Sequence, residues 1–418
     1  MPWLRLIALA CLCGLLCGLS LRAGSAPPLP YAQRADVAQL TALGRAMFFD
    51  RSLSARGDVA CASCHDPRFA YGPPPGKALP KGGLRTVPSL RYLQTLPPFS
   101  EHFFDADADE SIDAGPTGGH TWDGRASSSH EQARLPLLSA AEMGNATPAE
   151  VVRRIARSRH AAPLRALFGE AVFDDVPTAF ASALLALEVF QQSPAEFAPY
   201  SSRYDAVLRG QATLTPQEAR GLAAFNDPAK GNCAACHRSE PTPDGAFPLF
   251  TDFGHIALGL PRNPAIAANA DPAFFDLGLC GPLRTDFTDQ PDYCGRFRAP
   301  SLRNVALRER FFHNGSVRTL AEAVRFYVER DTRPARWYRS SPEGRVNKYN
   351  DLPDVYHPNV NTEPPFGGTP GDAPRLDDRD IRDIVAFLHT LTDADLARPG
   401  PTLADTPLSA AFKHHPPP

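Results

Sequence analysis

Two five-residue segments of this chain carry the residue types and spacing of one chemistry. Cys61-Ala62-Ser63-Cys64-His65 and Cys233-Ala234-Ala235-Cys236-His237 both read Cys-x-x-Cys-His. Two thiols at this spacing can both add to the vinyl groups of one porphyrin, and the next residue then places an imidazole nitrogen on the iron. A zinc site would group four ligands as two close pairs, and a dithiol redox site does not need the histidine. The repeated motif therefore points to two covalently bound c-type haems. Its copies lie in opposite halves of the chain, which predicts two cytochrome c-like domains with one haem each.

The second axial ligand of a haem iron decides whether it transfers electrons or binds an oxidant. Beyond the initiator the only methionines are Met47 and Met143, and both precede the second motif. A His/Met haem built inside the second half is thus excluded by composition. By residue type, His255, His313, His357, His389 and Tyr327 remain as candidates there. Cys280 and Cys294 read as a structural disulfide closing a short loop.

The elements that must position these residues read as mainly α, with long Pro-rich connections; the sequence holds 44 prolines. Val37, Leu40, Leu43 and Met47 recur at helical spacing between Asp36 and Phe49, shortly before the first motif. Phe180, Leu184 and Leu187 mark one face of a helix over 178–191. Thr215-Pro216-Gln217-Glu218 is a capping box with Pro at the first helical position, leading toward Cys233. Thr319-Leu320-Ala321-Glu322 is a second box, opening a helix through Tyr327. Ile381, Ile384, Val385 and Leu388 form the face of a late helix.

With 418 residues, a net charge of -3, 43% hydrophobic and 21% charged residues, the chain is globular, with neither a nucleic-acid-binding surface nor a disordered composition. Residues 1–25 read as a secretory signal: Arg5, an apolar run from Leu6 to Leu21, then small residues at 23–26. Cys11, Cys13 and Cys17 leave with it. No later stretch has the length of a membrane span. The expected organisation is a signal over 1–25, an N-terminal cytochrome c-like domain over 26–205, a C-terminal one over 206–392 and a flexible tail over 393–418. The expected location is the periplasm.

A family resemblance extends over nearly the whole mature chain. The two haem motifs, Thr121-Trp122-Asp123-Gly124-Arg125-Ala126, Gln132, Glu142-Met143-Gly144, Pro300-Ser301-Leu302-Arg303-Asn304-Val305 and Phe312-His313-Asn314-Gly315 resemble, in that order, the bacterial di-haem cytochrome c peroxidases and their MauG-type relatives. The resemblance implies an N-terminal peroxidatic haem with proximal His65 and a C-terminal electron-transferring haem with proximal His237. It implies Trp122 as the electron relay between them, with Gln132 and Glu142 in the distal pocket and Pro136 lining it. Val324-Arg325-Phe326-Tyr327-Val328-Glu329-Arg330-Asp331 resembles the MauG-type segment in which Tyr supplies the sixth ligand, here Tyr327.

Two departures stand out. No His lies between His65 and His102, where many di-haem peroxidases carry a loop ligand, so the first haem is expected to be open, with neither His102 nor His120 in the place of that ligand. Calcium, which family members hold between the domains, is in doubt: Pro88-Ser89-Leu90-Arg91-Tyr92 offers no Asn, and Arg308-Glu309-Arg310 replaces an uncharged stretch. Three readings follow. The first is a periplasmic peroxidase reducing hydrogen peroxide with electrons from a small donor protein, of cytochrome c or cupredoxin type. The second is a MauG-like oxidase that uses peroxide on a protein or small-molecule substrate, and the third a non-enzymatic electron carrier.

Overall fold

The computed structural model describes residues 36–105 and 111–396, so the expected signal and nearly all of the expected tail lie outside the described residues. In chain order the helices are α1 (Val37–Phe48), α2 (Ser129–Leu138), α3 (Pro148–Ala156), α4 (Ala161–Phe168), α5 (Val176–Gln191), α6 (Pro194–Phe197), α7 (Arg203–Leu208) and α8 (Pro216–Asn226), followed by α9 (Leu320–Glu329), α10 (Pro334–Trp337) and α11 (Asp378–His389). One antiparallel pair, β1 (His255–Ala257) with β2 (Arg296–Arg298), sets Ile256 opposite Phe297. The remaining described chain is loops and short 3-10 turns.

Local chemistry explains the helix starts. Thr215 caps α8 through a complete capping box with Glu218, and Pro216 takes the first helical position. Thr319 accepts from the Glu322 amide at the start of α9, and Asp377 accepts from two amides at the start of α11. Two sequence-predicted faces are rotated slightly. Val37 stands exposed at the open end of α1, while Leu40, Leu43, Met47 and Phe48 are buried. On α11 the buried face runs through Ile381, Ile384, Phe387 and Leu388, with Phe387 rather than Val385 filling the centre.

The two halves repeat one another. In the first, α1 packs on α5; in the second, α8 packs on α11. A glycine permits each close approach: a Cβ at Gly44 would sit 1.9 Å from the Ala186 carbonyl oxygen, and one at Gly221 would sit 1.9 Å from that of Asp383. The aromatic cores repeat as well. Phe48, Tyr71, Phe190 and Phe197 interlock in the first half, as Phe225, Phe250, Phe387 and Tyr204 do in the second. Both sets lie within one compact unit running from Val37.

The halves are joined by buried polar contacts. Arg85 pairs with Asp276 and Asp123, and Arg91 with Asp393. Thr86 donates its amide to the His313 carbonyl at 2.7 Å. Asp393, the first residue of the expected tail, is instead fully buried and also accepts from Tyr92 and Asn304. Cys280 and Cys294 form the expected disulfide, with Cα atoms 5.0 Å apart.

Gly44→Ala and Gly221→Ala should each force a helix pair apart and destabilise the protein by about 1–3 kcal/mol. Denaturant titration of the two variants checks this; unchanged midpoints would show that the crossings tolerate a methyl group.

Candidate haem sites and the cavity between them

Each Cys-x-x-Cys-His segment forms a single 3-10 turn, closed by the second cysteine's amide donating to the first cysteine's carbonyl, which also accepts from the histidine amide, at 2.9 Å for His65 and 2.8 Å for His237. The four thiols are free. Burial pushes Cys61, Cys233 and Cys236 up to about 12 and raises Cys64, so all four are neutral thiols. Both imidazoles are desolvated, which lowers the pKa of His237 and brings His65 down to about 4, so both are neutral.

The imidazoles are oriented identically. His65 Nδ1 donates to the Tyr71 carbonyl at 3.0 Å and His237 Nδ1 to the Phe250 carbonyl at 2.8 Å. That hydrogen bond selects the tautomer and leaves Nε2 as the lone-pair donor, as an iron ligand requires. Both acceptors sit on aromatic residues with left-handed backbone, Tyr71 at φ 53° and Phe250 at φ 56°. A Pro-Ser-Leu-Arg tetrapeptide holds each of them. Leu90 and Leu302 donate their amides to the Tyr71 and Phe250 carbonyls, and Ser89 and Ser301 donate their hydroxyls one residue earlier, to Ala70 and Leu249, both at 2.6 Å. The recurrence of this tetrapeptide at 88–91 and 300–303 was readable in the sequence; its role as the clamp behind each histidine was not.

A largely apolar cavity of about 200 Å³ runs from Cys233, Cys236 and His237 past Tyr327 to Trp122 and Pro88. At the second motif a free thiol pair, an oriented Nε2 and an apolar cavity are the donor set and surroundings that a c-type haem needs, and the first motif repeats the thiol pair and the oriented Nε2.

Trp122 is buried in the cavity wall. Its Nε1 donates to the Thr86 carbonyl at 2.7 Å, and its ring meets His313 edge-on with centroids 6.4 Å apart. Among the sixth-ligand candidates, only Tyr327 and His313 line the cavity. His313 lies flat on Phe297, with ring centroids 3.4 Å apart. His255 Nε2 is engaged by the Gly118 carbonyl, His357 Nε2 by that of Leu352, and His389 is exposed on α11. Tyr327 projects from α9, stacked on Phe366, and its hydroxyl has no hydrogen-bond partner among the described residues. Burial and the neighbouring thiols of Cys236 and Cys233 raise its pKa.

At the first motif, Glu142 lies in the turn after α2, near enough for its charge to act on both Cys61 and Cys64. The Ser139 carbonyl closes this turn by accepting from the amides of Glu142 and Gly144. The Glu142 side chain is open to solvent, yet the surrounding protein desolvates it enough to raise its pKa, against the Ser139 hydrogen bond and the Arg125 charge. Gln132 and Pro136 lie in α2; the Gln132 side chain is half-buried and makes no hydrogen bond among the described residues. The structure thus brings Glu142 near the first motif. His102 pairs with Asp113 in the open, and His120 is buried beside Arg298. In the stretch expected to depart from a calcium site, the Arg308 guanidinium donates to the carbonyls of Val87 and Arg310.

Comparison with known proteins gives the class. A model of the di-haem cytochrome c peroxidases matches residues 38–213. The chain is 34% identical over 375 residues to the methylamine utilization protein MauG of Paracoccus denitrificans, covering 87% of this chain and 90% of that one. It is 29% identical over 286 residues to the cytochrome c551 peroxidase of Pseudomonas aeruginosa, covering 68% and 69%. The crystal structure of the diheme peroxidase BthA from Burkholderia thailandensis E264 superposes with a TM-score of 0.77 at 42% identity, over 89% of this chain and 90% of that one. The chain belongs to the di-haem cytochrome c peroxidase family, the family of MauG. It is an oxidoreductase of the kind that uses peroxide, and membership implies two haems. No helix among the described residues is long and apolar enough to cross a membrane.

Behind Trp122 and His313, Asp351 accepts from Asn314 Nδ2 at 2.8 Å, and burial pushes its carboxyl up to about 7. The folded state therefore binds a proton that the unfolded state releases near pH 4. The stabilisation from that proton is full below the unfolded value and is lost as pH rises to about 7. Asp351→Asn keeps an acceptor for Asn314, and should flatten the fall in stability between about pH 4 and 7. Denaturant midpoints across that range measure it, and an unchanged slope would remove Asp351 from the titration.

Proposed function

We propose that this protein is an exported, periplasmic di-haem peroxidase that reduces hydrogen peroxide to water with electrons from a small donor protein. The observation that supports this reading is the Glu142 carboxylate near enough to Cys61 and Cys64 for its charge to act on both, while His102 pairs with Asp113 and His120 is buried beside Arg298. In this reading Cys61 and Cys64 would hold one haem and Cys233 and Cys236 the other through thioethers, with His65 and His237 each offering a nitrogen to iron and Tyr327 offering its phenol oxygen to the second. The two halves form one cytochrome c-like domain each, as their repeated helix crossings and histidine clamps support. The bound haems supply the redox chemistry at which the O–O bond breaks, taking up two electrons and two protons to release two waters.

The polypeptide supplies proton handling and an electron path. Glu142 takes a proton from one peroxide oxygen and returns it to the departing one, and its raised pKa brings it closer to a neutral working pH. Gln132, with a free amide on the preceding helix, orders peroxide or a water by hydrogen bonding. Trp122 narrows the gap between the two motif-bearing halves with a polarizable ring, fixed by its bond to Thr86.

A second reading has its own support. The phenol of Tyr327 in the cavity beside Cys233 and Cys236 and the 34% identity to MauG favour a peroxide-dependent oxidase acting on a protein or small-molecule substrate. Tyrosinate is a hard, anionic ligand that favours the ferric state and lowers the reduction potential.

Adding hydrogen peroxide to the as-isolated diferric protein separates the two. Turnover only after one-electron reduction supports the donor-driven peroxidase; a long-lived near-infrared charge-resonance band without reduction supports the MauG-like oxidase. Glu142→Gln should slow peroxide turnover about 10²–10⁴-fold with both haems retained, and full activity would remove it from proton transfer. Tyr327→Phe should change the low-spin ferric signal in electron paramagnetic resonance; an identical spectrum would show that Tyr327 is not a ligand.

A further inference from the structure

Burying a guanidinium is costly unless a counter-charge is buried with it. Six arginines are buried among the described residues: Arg85, Arg91, Arg284, Arg298, Arg303 and Arg330. Five have a carboxylate partner. Arg85 has Asp123 and Asp276, Arg91 has Asp393, Arg284 has Asp286, Arg303 has Asp205 and Arg330 has Asp331. Arg298 has no ion-pair partner among the described residues.

Arg298 is 6% exposed and lines the cavity beside Trp122. Its Nε donates to the Thr121 carbonyl at 3.2 Å, its Cζ lies 5.6 Å from the Phe253 ring centroid, and its Nη1 is buried without any hydrogen-bond partner. Its position is fixed, because the Arg298 amide donates to the Trp122 carbonyl at 2.8 Å within β2. Arg308 lines the same cavity and also has no ion pair among the described residues. It meets only the carbonyls of Val87 and Arg310, at 3.1 and 3.3 Å, and its charge reaches His65. The adjacent Glu309 is turned away, accepting from the Gly76 amide. Desolvation of the buried Arg298 and the half-buried Arg308 lowers both guanidinium pKa values to about 10.

We infer that Arg298 and Arg308 receive carboxylates that the polypeptide does not supply, the propionates of the two haems. Arg308 takes one from the haem attached at Cys61 and Cys64, since it bonds the Val87 carbonyl next to the Pro88-Ser89-Leu90-Arg91 clamp behind His65. Arg298 takes one from the haem attached at Cys233 and Cys236, whose cavity it lines. Haem carries its anionic edge into the protein, and a buried guanidinium with an unused N–H is the group that compensates it through a charge-assisted hydrogen bond. Arg298 then sits beside Trp122 and Arg308 beside the Val87 carbonyl, where each raises the potential of the haem it meets by disfavouring the ferric charge.

The inference rests on the two-haem reading, so haem content of the full holoprotein is measured first; fewer than two covalent haems in the unsubstituted protein would sink that reading, not this one. Spectropotentiometric titration of Arg308→Gln and Arg298→Gln should then show a downward shift in potential confined to the first and the second haem respectively, with Lys at either position restoring most of it. Two retained haems with unmoved potentials would overturn the assignment. So would a change in substrate KM alone, which would mark the arginines as receivers of an anionic substrate. If a Gln variant does not retain two haems, the Lys variant decides by resonance Raman, because Lys replaces a planar fork with a point charge. A shifted propionate bending band supports the contact, and an unchanged band overturns it.

Discussion

A neutral imidazole offers one lone pair, and a hydrogen bond at its other nitrogen decides where that lone pair points. In this protein the deciding bond is made twice by the same device, a backbone carbonyl on an aromatic residue held at positive φ. An L-residue adopts that backbone at some cost. Here the cost is offset by the rings, since Tyr71 is stacked on Phe197 with centroids 4.1 Å apart and Phe250 is wedged against Tyr204, Phe225 and Phe387. The aromatic core, the strained residue and the imidazole orientation are therefore one mechanical unit. Loosening the core would loosen the imidazole.

Duplication of that unit accounts for most of the architecture, and divergence between its copies marks where the halves meet. After the shared Pro-Ser-Leu-Arg, the next residue is Tyr92 in one half and Asn304 in the other, both at positive φ. Their side chains converge on the two oxygens of buried Asp393. Arg303 lies between the rings of Tyr92 and Tyr200, 4.6 Å from each, while pairing with Asp205. A junction built from buried, directional polar contacts fixes relative orientation more strictly than apolar packing would, because misalignment leaves charges unpaired. Such strictness holds the two histidine-bearing halves in one fixed relation.

Trp122 lies at this junction. Its N–H is used by the Thr86 carbonyl, and the Thr86 amide and hydroxyl are in turn tied to the carbonyls of His313 and Phe312 in the other half. The indole is thus positioned by both halves at once. Its surroundings also set the charge balance of the cavity: Asp123 is neutralised by Arg85 and Arg125, whereas Arg298 and Arg308 bring positive charge that the polypeptide leaves unmatched.

Much of this was legible in the sequence, because covalent chemistry and helix capping are local. The Cys-x-x-Cys-His segments, the cap at Thr215 and the helix ending near Phe48 depend on residues within a few positions of one another, and the absence of methionine from the second half is a fact of composition. The ordered motifs around Trp122, Gln132 and Glu142 were enough to recognise the family. What remained hidden depended on groups far apart in the chain. No local pattern says that Tyr71 and Phe250 will turn left-handed, that Phe387 rather than Val385 will face the core, or that Asp393 will be drawn from an expected tail into the junction. Nor could composition show that Arg298 and Arg308 lack the partners that Arg85, Arg91 and Arg303 possess. Pairing, burial and strain exist only when distant segments compete for the same space, and the tertiary structure alone decides them.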